Sequence, residues 1–140
     1  MSDTRTRSDL ITEVLDQLGV TSIGQTLSAE DVEKIDSRLD NALAEISELE
    51  IYTVDDPGST GPTGGEIPAS AINALGAVIA QRCAASFGMG SDPSIFVLSQ
   101  RAEKTLRSLA RPARARRTLR TDSALRGRMW PRGGSFTNGT

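Results

Sequence analysis

The apolar positions of the N-terminal half fall into two stripes with helical spacing. The first follows Thr6 and Ser8, either of which could cap a helix, and ends before Gly19, a typical stop signal. The second follows Ser28, which stands three residues before an acid in a spacing close to a capping box. The two stripes are Leu10, Ile11, Val14, Leu15 and Leu18, and then Val32, Ile35, Leu39, Ala42, Leu43, Ile46 and Leu49. They predict helices near residues 7–18 and 29–48.

The segment from Ala71 to Phe87 differs from these stripes because it is apolar on almost every side. Pro68 is well placed for the first turn of a helix, and Gly88 and Gly90 provide the stop. The pattern predicts a third helix that is buried at the centre of the domain.

A fourth helix is predicted to start at Asp92-Pro93 and to stop before Pro112. Its apolar stripe is Ile95, Leu98, Ala102, Leu106 and Leu109. Residues 111–140 have no long apolar period and are interpreted as an extended arm, with at most a short strand or helical turn around 118–126. The predicted fold class is therefore all-α: a small bundle of about four helices, with a body at residues 1–110 and an arm at 111–140.

Residues 53–66 form a long connection between the second and third helices. Four glycines and two prolines exclude a helix or a central strand, so an exposed loop is predicted, with a short extended piece at Ile51, Tyr52 and Val54 leading into it. Loops of this length usually bind something, which makes this one a predicted contact element. A phosphate-binding loop is disfavoured because Glu66 follows the glycines, and Asp55-Asp56 fits turn chemistry better than a catalytic carboxylate pair.

The composition narrows the function classes. Only 37% of the residues are hydrophobic and 4% aromatic, which suits Ala- and Leu-rich helices better than sheets. With no histidine and one cysteine, a catalytic triad, a zinc site or an intramolecular disulfide is not expected, and Cys83 is predicted to be a small buried hydrophobe. No enzyme activity, metal or cofactor is expected.

No apolar run is long enough for a membrane span and no signal peptide is evident, so a soluble chain of intracellular origin is expected.

The small net charge conceals a strong asymmetry. Residues 1–100 carry 16 acidic and 5 basic side chains, whereas residues 101–140 carry 2 acidic and 11 basic ones, ten of them arginine. Arginine is preferred where a planar fork meets phosphate or carboxylate, so an anionic partner is predicted, either nucleic acid or an acidic protein surface. A solvated tail without a function is the alternative interpretation. The predicted electrostatic residues of the arm are Arg111, Arg114, Arg116, Arg117, Arg120, Arg126 and Arg132.

The last part of the arm mixes arginines with apolar residues and turn formers. Met129, Trp130, Pro131 and Phe136 are costly to leave in water and are typical of a peptide that docks into pockets of a protein partner. Stacking of Trp130 and Phe136 on bases is the nucleic-acid alternative.

Nearly the whole chain resembles the head-to-tail adaptor proteins of tailed bacteriophages, especially the packaged-DNA-stabilisation or head-completion proteins of short-tailed phages. The likeness rests on Asp9-Leu10 through Leu18-Gly19-Val20, on Ser28 through Leu49, and on Ile67-Pro68 opening an Ala-rich helix that runs to Phe87-Gly88. Its most specific part is the Arg-Met-Pro-Gly-Ser-Phe-Asn pattern near the end.

The resemblance implies a virion protein, made in the host cytoplasm, that forms a dodecameric ring in the neck between portal and tail and helps to retain packaged DNA. Its implied partners are the portal, tail or nozzle/stopper proteins, further copies of itself and the DNA passing through the channel, with no membrane. The implied portal contacts are Arg128, Met129, Pro131, Gly133, Ser135, Phe136 and Asn138, together with Trp130, which departs from the family pattern.

The rival hypothesis is a small nonspecific nucleic-acid-binding protein that uses the arm as a clamp on phosphates. Such proteins usually also carry cations on the folded surface, whereas residues 1–100 have only five basic side chains. The distribution of charge therefore favours the structural protein.

Overall fold

Helices dominate the computed structural model, which describes residues 3–21, 23–59 and 64–111. Within these residues the α-helices are α1 (Arg7–Gln17), α2 (Ala29–Glu48), α3 (Ala69–Cys83) and α4 (Pro93–Ala110), and a 3₁₀ turn, Ala84–Phe87, follows α3. Two short strands, β1 (Thr4–Arg5) and β2 (Ile67–Pro68), pair antiparallel with Arg5 opposite Ile67. The prediction of a small, mostly α-helical bundle with four helices is confirmed, and the strand pair is an addition to it.

The helix ends show which local signals operate. Thr6 and Asp9 form a capping box at α1, in which each side chain accepts a hydrogen bond from the other residue's backbone N–H, at 3.3 and 3.0 Å. The capping box predicted at Ser28 is wrong, since Ser28 occupies the N-cap of α2 without a side-chain hydrogen bond. At α4 the Asp92 carboxylate accepts from the Ser94 N–H at 2.9 Å, as the predicted start requires.

Helix α3 is the centre of the packing, as predicted, and its main neighbours are α4 and α1. All residues from 74 to 80 are buried. Cys83 is buried as predicted, and burial raises the pKa of its thiol, which suits a small hydrophobe rather than a nucleophile. A Cβ at Gly76 would lie 2.6 Å from Cγ of Glu13, so the glycine permits the close approach of α1.

The ends of α3 differ slightly from the prediction. Pro68 lies at the N-cap, in β2, rather than in the first helical turn. The α-helix ends at Cys83, and the predicted last turn to Phe87 is 3₁₀ before Gly88 takes a left-handed conformation with φ 74°. A 3₁₀ turn is a common way for a helix to tighten at its C-terminus.

The predicted stripe of α4 is wrong at two positions. Leu98 and Leu109 are 45% and 42% exposed, whereas Ser99 is buried. The buried line is Ile95, Ser99, Ala102 and Leu106. Because residues four and three apart share a helical face, this set points at α3 and leaves Leu98 and Leu109 on its flank.

Leu49, predicted to belong to the α2 stripe, lies one residue beyond the helix and is 52% exposed. The other apolar residues of that stripe are buried or partly buried in the core. No helix within residues 3–21, 23–59 and 64–111 is long and apolar enough to cross a membrane.

Candidate assembly surfaces

The loop at residues 53–66 is held together at its base. Asp56 and Glu66 form an isolated antiparallel bridge, with the Glu66 N–H donating to the Asp56 carbonyl at 2.8 Å. The two limbs of the loop approach each other closely at Gly58 and Gly65, which have φ values of 80° and 89°. A Cβ on Gly58 would lie 3.1 Å from the Gly65 nitrogen. The two limbs of the loop therefore run side by side, while residues 60–63 between them lie outside the described part.

Two sequence expectations for this loop have clear outcomes. Asp56 accepts a hydrogen bond from the Gly58 N–H at 3.0 Å, which confirms the turn interpretation of Asp55-Asp56. Ile51, Tyr52 and Val54, where an extended piece was expected, belong to no assigned helix or strand, and Ile51 is buried in the core.

Arg7, the first residue of α1, joins this loop to α2. Its side chain is fully buried, and its guanidinium donates from Nε to Asp36 at 2.6 Å and from Nη1 to Asp40 at 2.7 Å. The same Nη1 lies 3.2 Å from the Gly58 carbonyl and 3.4 Å from that of Pro57. Nη2 donates to the backbone carbonyl of Asp36 at 3.2 Å. We call these five residues the Arg7 cluster.

The backbone of Arg7 holds the other limb of the loop. Its N–H donates to the Gly64 carbonyl at 2.9 Å. One residue thus binds both limbs and α2, which fixes where the loop leaves the body.

In the Arg7 cluster, the two carboxylates compensate for the cost of burying the guanidinium. Burial by itself would lower the pKa of Arg7, but hydrogen bonds and charge interactions with Asp40 and Asp36 outweigh burial, and the net direction is upward. A buried charge is tolerated when it is paired and hydrogen-bonded, and removal of one partner is costly. The cluster therefore holds the loop in place through a buried cation that is paired with two carboxylates.

Nothing in the sequence patterns singled out Arg7. Its partners lie 29 to 57 residues away along the chain, and an arginine at the start of an amphipathic helix usually points into water. The available signal was the scarcity of cations, since Arg7 is one of five basic residues among the first hundred.

Helix α4 presents an outward face that combines apolar and basic side chains. Phe96 and Val97 are 53% and 44% exposed in its first two turns. Arg101 and Lys104 follow, both exposed. We call these four residues the α4 outer face.

Helix α2 presents the opposite charge. It contains seven acidic and two basic residues. Glu30, Glu33 and Glu48 are exposed on the side away from the core, where the short side chains of Ser37 and Ala44 lie between them. We call these five residues the α2 outer face.

Two side-chain contacts hold α2 to the region of α3. Arg82 binds Glu45 with an Nε to Oε2 distance of 3.1 Å. The Lys34 ammonium lies 5.5 Å from the centre of the Phe87 ring, within range of a cation–π contact.

Most of the predicted arm lies outside the described residues. Arg111 is described, as the exposed C-cap of α4. The other predicted electrostatic residues and all predicted portal contacts lie in residues 112–140, so they stay predictions. Among residues 3–21, 23–59 and 64–111 there is no group of histidine, cysteine, aspartate or glutamate residues arranged to hold a metal ion.

The surfaces that the described residues offer are therefore a loop held by a buried arginine, a mixed apolar and basic helix face, and an acidic helix face. Comparison with protein-family models, with curated proteins and with solved structures finds no significant match to this chain.

Proposed function

We propose that this chain is a structural virion protein, a head-to-tail adaptor that joins the portal to the tail of a phage and helps to retain packaged DNA. The described body is the folded part of this adaptor, and the arm docks into the portal. In this proposal the chain has no catalytic role and works through its surfaces.

The Arg7 cluster is the observation that supports this proposal best. Its loop has few apolar side chains and would gain little from packing, yet a fully buried arginine binds both of its limbs. A loop that must meet a partner in a fixed position benefits from such preorganisation, because less conformational freedom is lost on binding. The position of the loop is thus consistent with a contact element in an assembly.

The loop can be tested without disturbing its base. Replacement of Thr60, Pro62 and Thr63 by glycine keeps the length of the loop and changes no residue of the Asp56–Glu66 bridge or of the Arg7 cluster. We expect this variant to fold like the wild type and to form fewer complexes with a portal ring, as counted by electron microscopy. Equal complex formation would show that the loop is not a contact element.

The arm is tested by titration against the portal and against duplex DNA at two salt concentrations. If the arm docks, Trp130→Ala and Phe136→Ala should each weaken portal binding by more than about 1 kcal/mol, as buried aromatic contacts usually do. Arg114→Ala should have a smaller, salt-dependent effect.

Nonspecific nucleic-acid binding is the second candidate, and one observation favours it. Arg101, Lys104 and Arg107 are all exposed on α4, and Arg111 extends the series towards the arm. For this function, each arginine removed should lower the slope of log affinity against log salt by about one unit. Tighter binding of the wild type to DNA than to the portal at physiological salt would contradict the adaptor proposal.

A further inference from the structure

The exposed apolar side chains of the described residues are concentrated on one helix. Seven large hydrophobic side chains are exposed, and four of them lie on α4. These four are Phe96, Val97, Leu98 and Leu109, while Ile23 and Leu27 precede α2 and Leu49 follows it. Exposed apolar groups gathered on one element are typical of interaction surfaces.

The same two helices carry opposite charge. The α2 outer face carries Glu30, Glu33 and Glu48, and it stays net acidic although Lys34 lies beside the first two. The α4 outer face is basic through Arg101 and Lys104. Complementary charge favours encounter and fixes orientation, and like charge opposes the pairing of either face with itself. The charges thus select an α2–α4 contact over α2–α2 and α4–α4 contacts.

Within one chain, α2 and α4 have little contact with each other. Both α2 and α4 pack against α3, and they are not among the helix pairs that contact each other extensively. Their lengths are nonetheless similar, about 30 and 27 Å at 1.5 Å per residue, so one helix could lie along the other. The small side chains of Ser37 and Ala44 leave room on α2 for a helix to approach closely.

We propose that the α4 outer face binds the α2 outer face of a second copy of this chain. The contact is heterologous, since each copy contributes a different surface, and it leaves one free face at each end for further copies. It deepens the proposed function by naming the surfaces through which adaptor subunits join. The charged rim would make the contact weak in the isolated protein and sensitive to salt.

A cross-linking experiment on the full chain tests this contact without any portal. One pool carries Ser37→Cys on α2 and a second carries Ser108→Cys on α4, and both positions are exposed. A short bismaleimide is added at low salt to each pool and to their mixture. The wild type, whose Cys83 is buried, serves as the control for unwanted reaction.

We expect cross-linked dimers in the mixture at a yield at least ten-fold above that of either pool alone. A symmetric contact would instead give dimers in one of the separate pools, and this outcome would overturn the proposal. Equal yields in all three samples would also overturn it, because they would show random collision.

Charge reversal then tests the electrostatic part. Glu33→Lys/Glu48→Lys on the Ser37→Cys chain, or Arg101→Glu/Lys104→Glu on the Ser108→Cys chain, should each abolish the excess of cross-linking. The two reversed chains together should restore it, because their charges are again complementary. The control Asp3→Lys/Asp16→Lys reverses two exposed charges that lie outside the loop and both outer faces, and it should leave the yield unchanged.

Restoration is the decisive outcome, since a general loss of folding cannot produce it. Failure of restoration would overturn the α2–α4 contact. So would a result in which Arg101→Glu/Lys104→Glu removes duplex DNA binding but leaves cross-linking intact, which would assign the α4 outer face to nucleic acid. Failure to bind a portal would contradict the proposed function and would leave this contact standing.

Discussion

The Arg7 cluster and the α4 outer face use the same kind of side chain in opposite ways. Arg7 is fully buried and donates hydrogen bonds within its own chain to two carboxylates and three backbone carbonyls. Arg101 on α4 is exposed beside apolar residues and has no ion pair among the described residues. The body thus uses one cation to position a loop, whereas Arg101 stays exposed at the surface.

The largest loss of stability is expected from replacement of Arg7. In Arg7→Met the carboxylates of Asp36 and Asp40 lose their shared partner, and we expect a loss of about 3 kcal/mol in the free energy of unfolding, as for other broken buried ion pairs. Urea denaturation, monitored by circular dichroism, measures this loss of stability. The control Arg5→Met removes an exposed arginine that is 3.8 Å from Asp3 and should cost less than about 0.5 kcal/mol. Equal stability of the two variants would contradict a structural role for Arg7.

Two leucines of α4 allow its buried and exposed surfaces to be compared. Leu106 is fully buried, whereas Leu109 is 42% exposed. Leu106→Ala should destabilise the protein by about 2–4 kcal/mol through the cavity it leaves, and Leu109→Ala by less than about 1 kcal/mol. Thermal and urea denaturation of both variants provides the test. Similar losses would mean that α4 is packed on both sides within one chain.

Two glycines with similar backbone conformations, one in the loop and one at a helix end, differ in their surroundings. Gly58 and Gly88 have similar left-handed φ values of 80° and 74°, but a Cβ would meet backbone atoms at 3.1 Å only at Gly58. We expect Gly58→Ala to cost about 2 kcal/mol and Gly88→Ala about 1 kcal/mol, the difference being the steric contact. Hydrogen exchange should locate the Gly58→Ala effect at the Asp56–Glu66 bridge. An effect no larger than that of Gly88→Ala would indicate that the two limbs can move apart freely.

The smallest expected effect concerns pH. Hydrogen bonds from Thr6 lower the pKa of Asp9, and those from Ser94 lower the pKa of Asp92. A carboxyl whose pKa is lowered on folding stabilises the native state above its unfolded value of 3.8 and loses this contribution as pH falls through the folded value. The melting temperature should therefore fall below pH 4, and Asp9→Asn should make this fall less steep. If the melting temperature of Asp9→Asn fell as steeply with decreasing pH as that of the wild type, the Asp9 carboxylate of the α1 capping box would not be a source of this stability.

The helices could be predicted from the sequence because their signals are local. The apolar stripe of α1, the Asp92-Pro93 start of α4 and the glycine after the 3₁₀ turn all act within a few residues. The choice between Leu98 and Ser99 could not be predicted, since both spacings fit a helix and only the position of α3 decides which side is buried.

The candidate site was predictable only in part. Composition alone marked residues 53–66 as a loop with a contact role, but it gave no reason to expect that the loop is held at its base. That role of Arg7 depends on α2 and the loop coming together around it, which is a property of the tertiary fold. The opposite charges of α2 and α4 were countable in the sequence, whereas their separation by α3 was not.

Electron microscopy of the full chain mixed with a portal ring from the same source tests the central claim most directly. The account predicts a ring of this protein seated on the portal for the wild type, and no ring for either Glu33→Lys/Glu48→Lys or Arg101→Glu/Lys104→Glu alone. The two variants mixed together should form it again. Absence of any density on the portal with the wild type, at concentrations where duplex DNA is bound, would contradict the account.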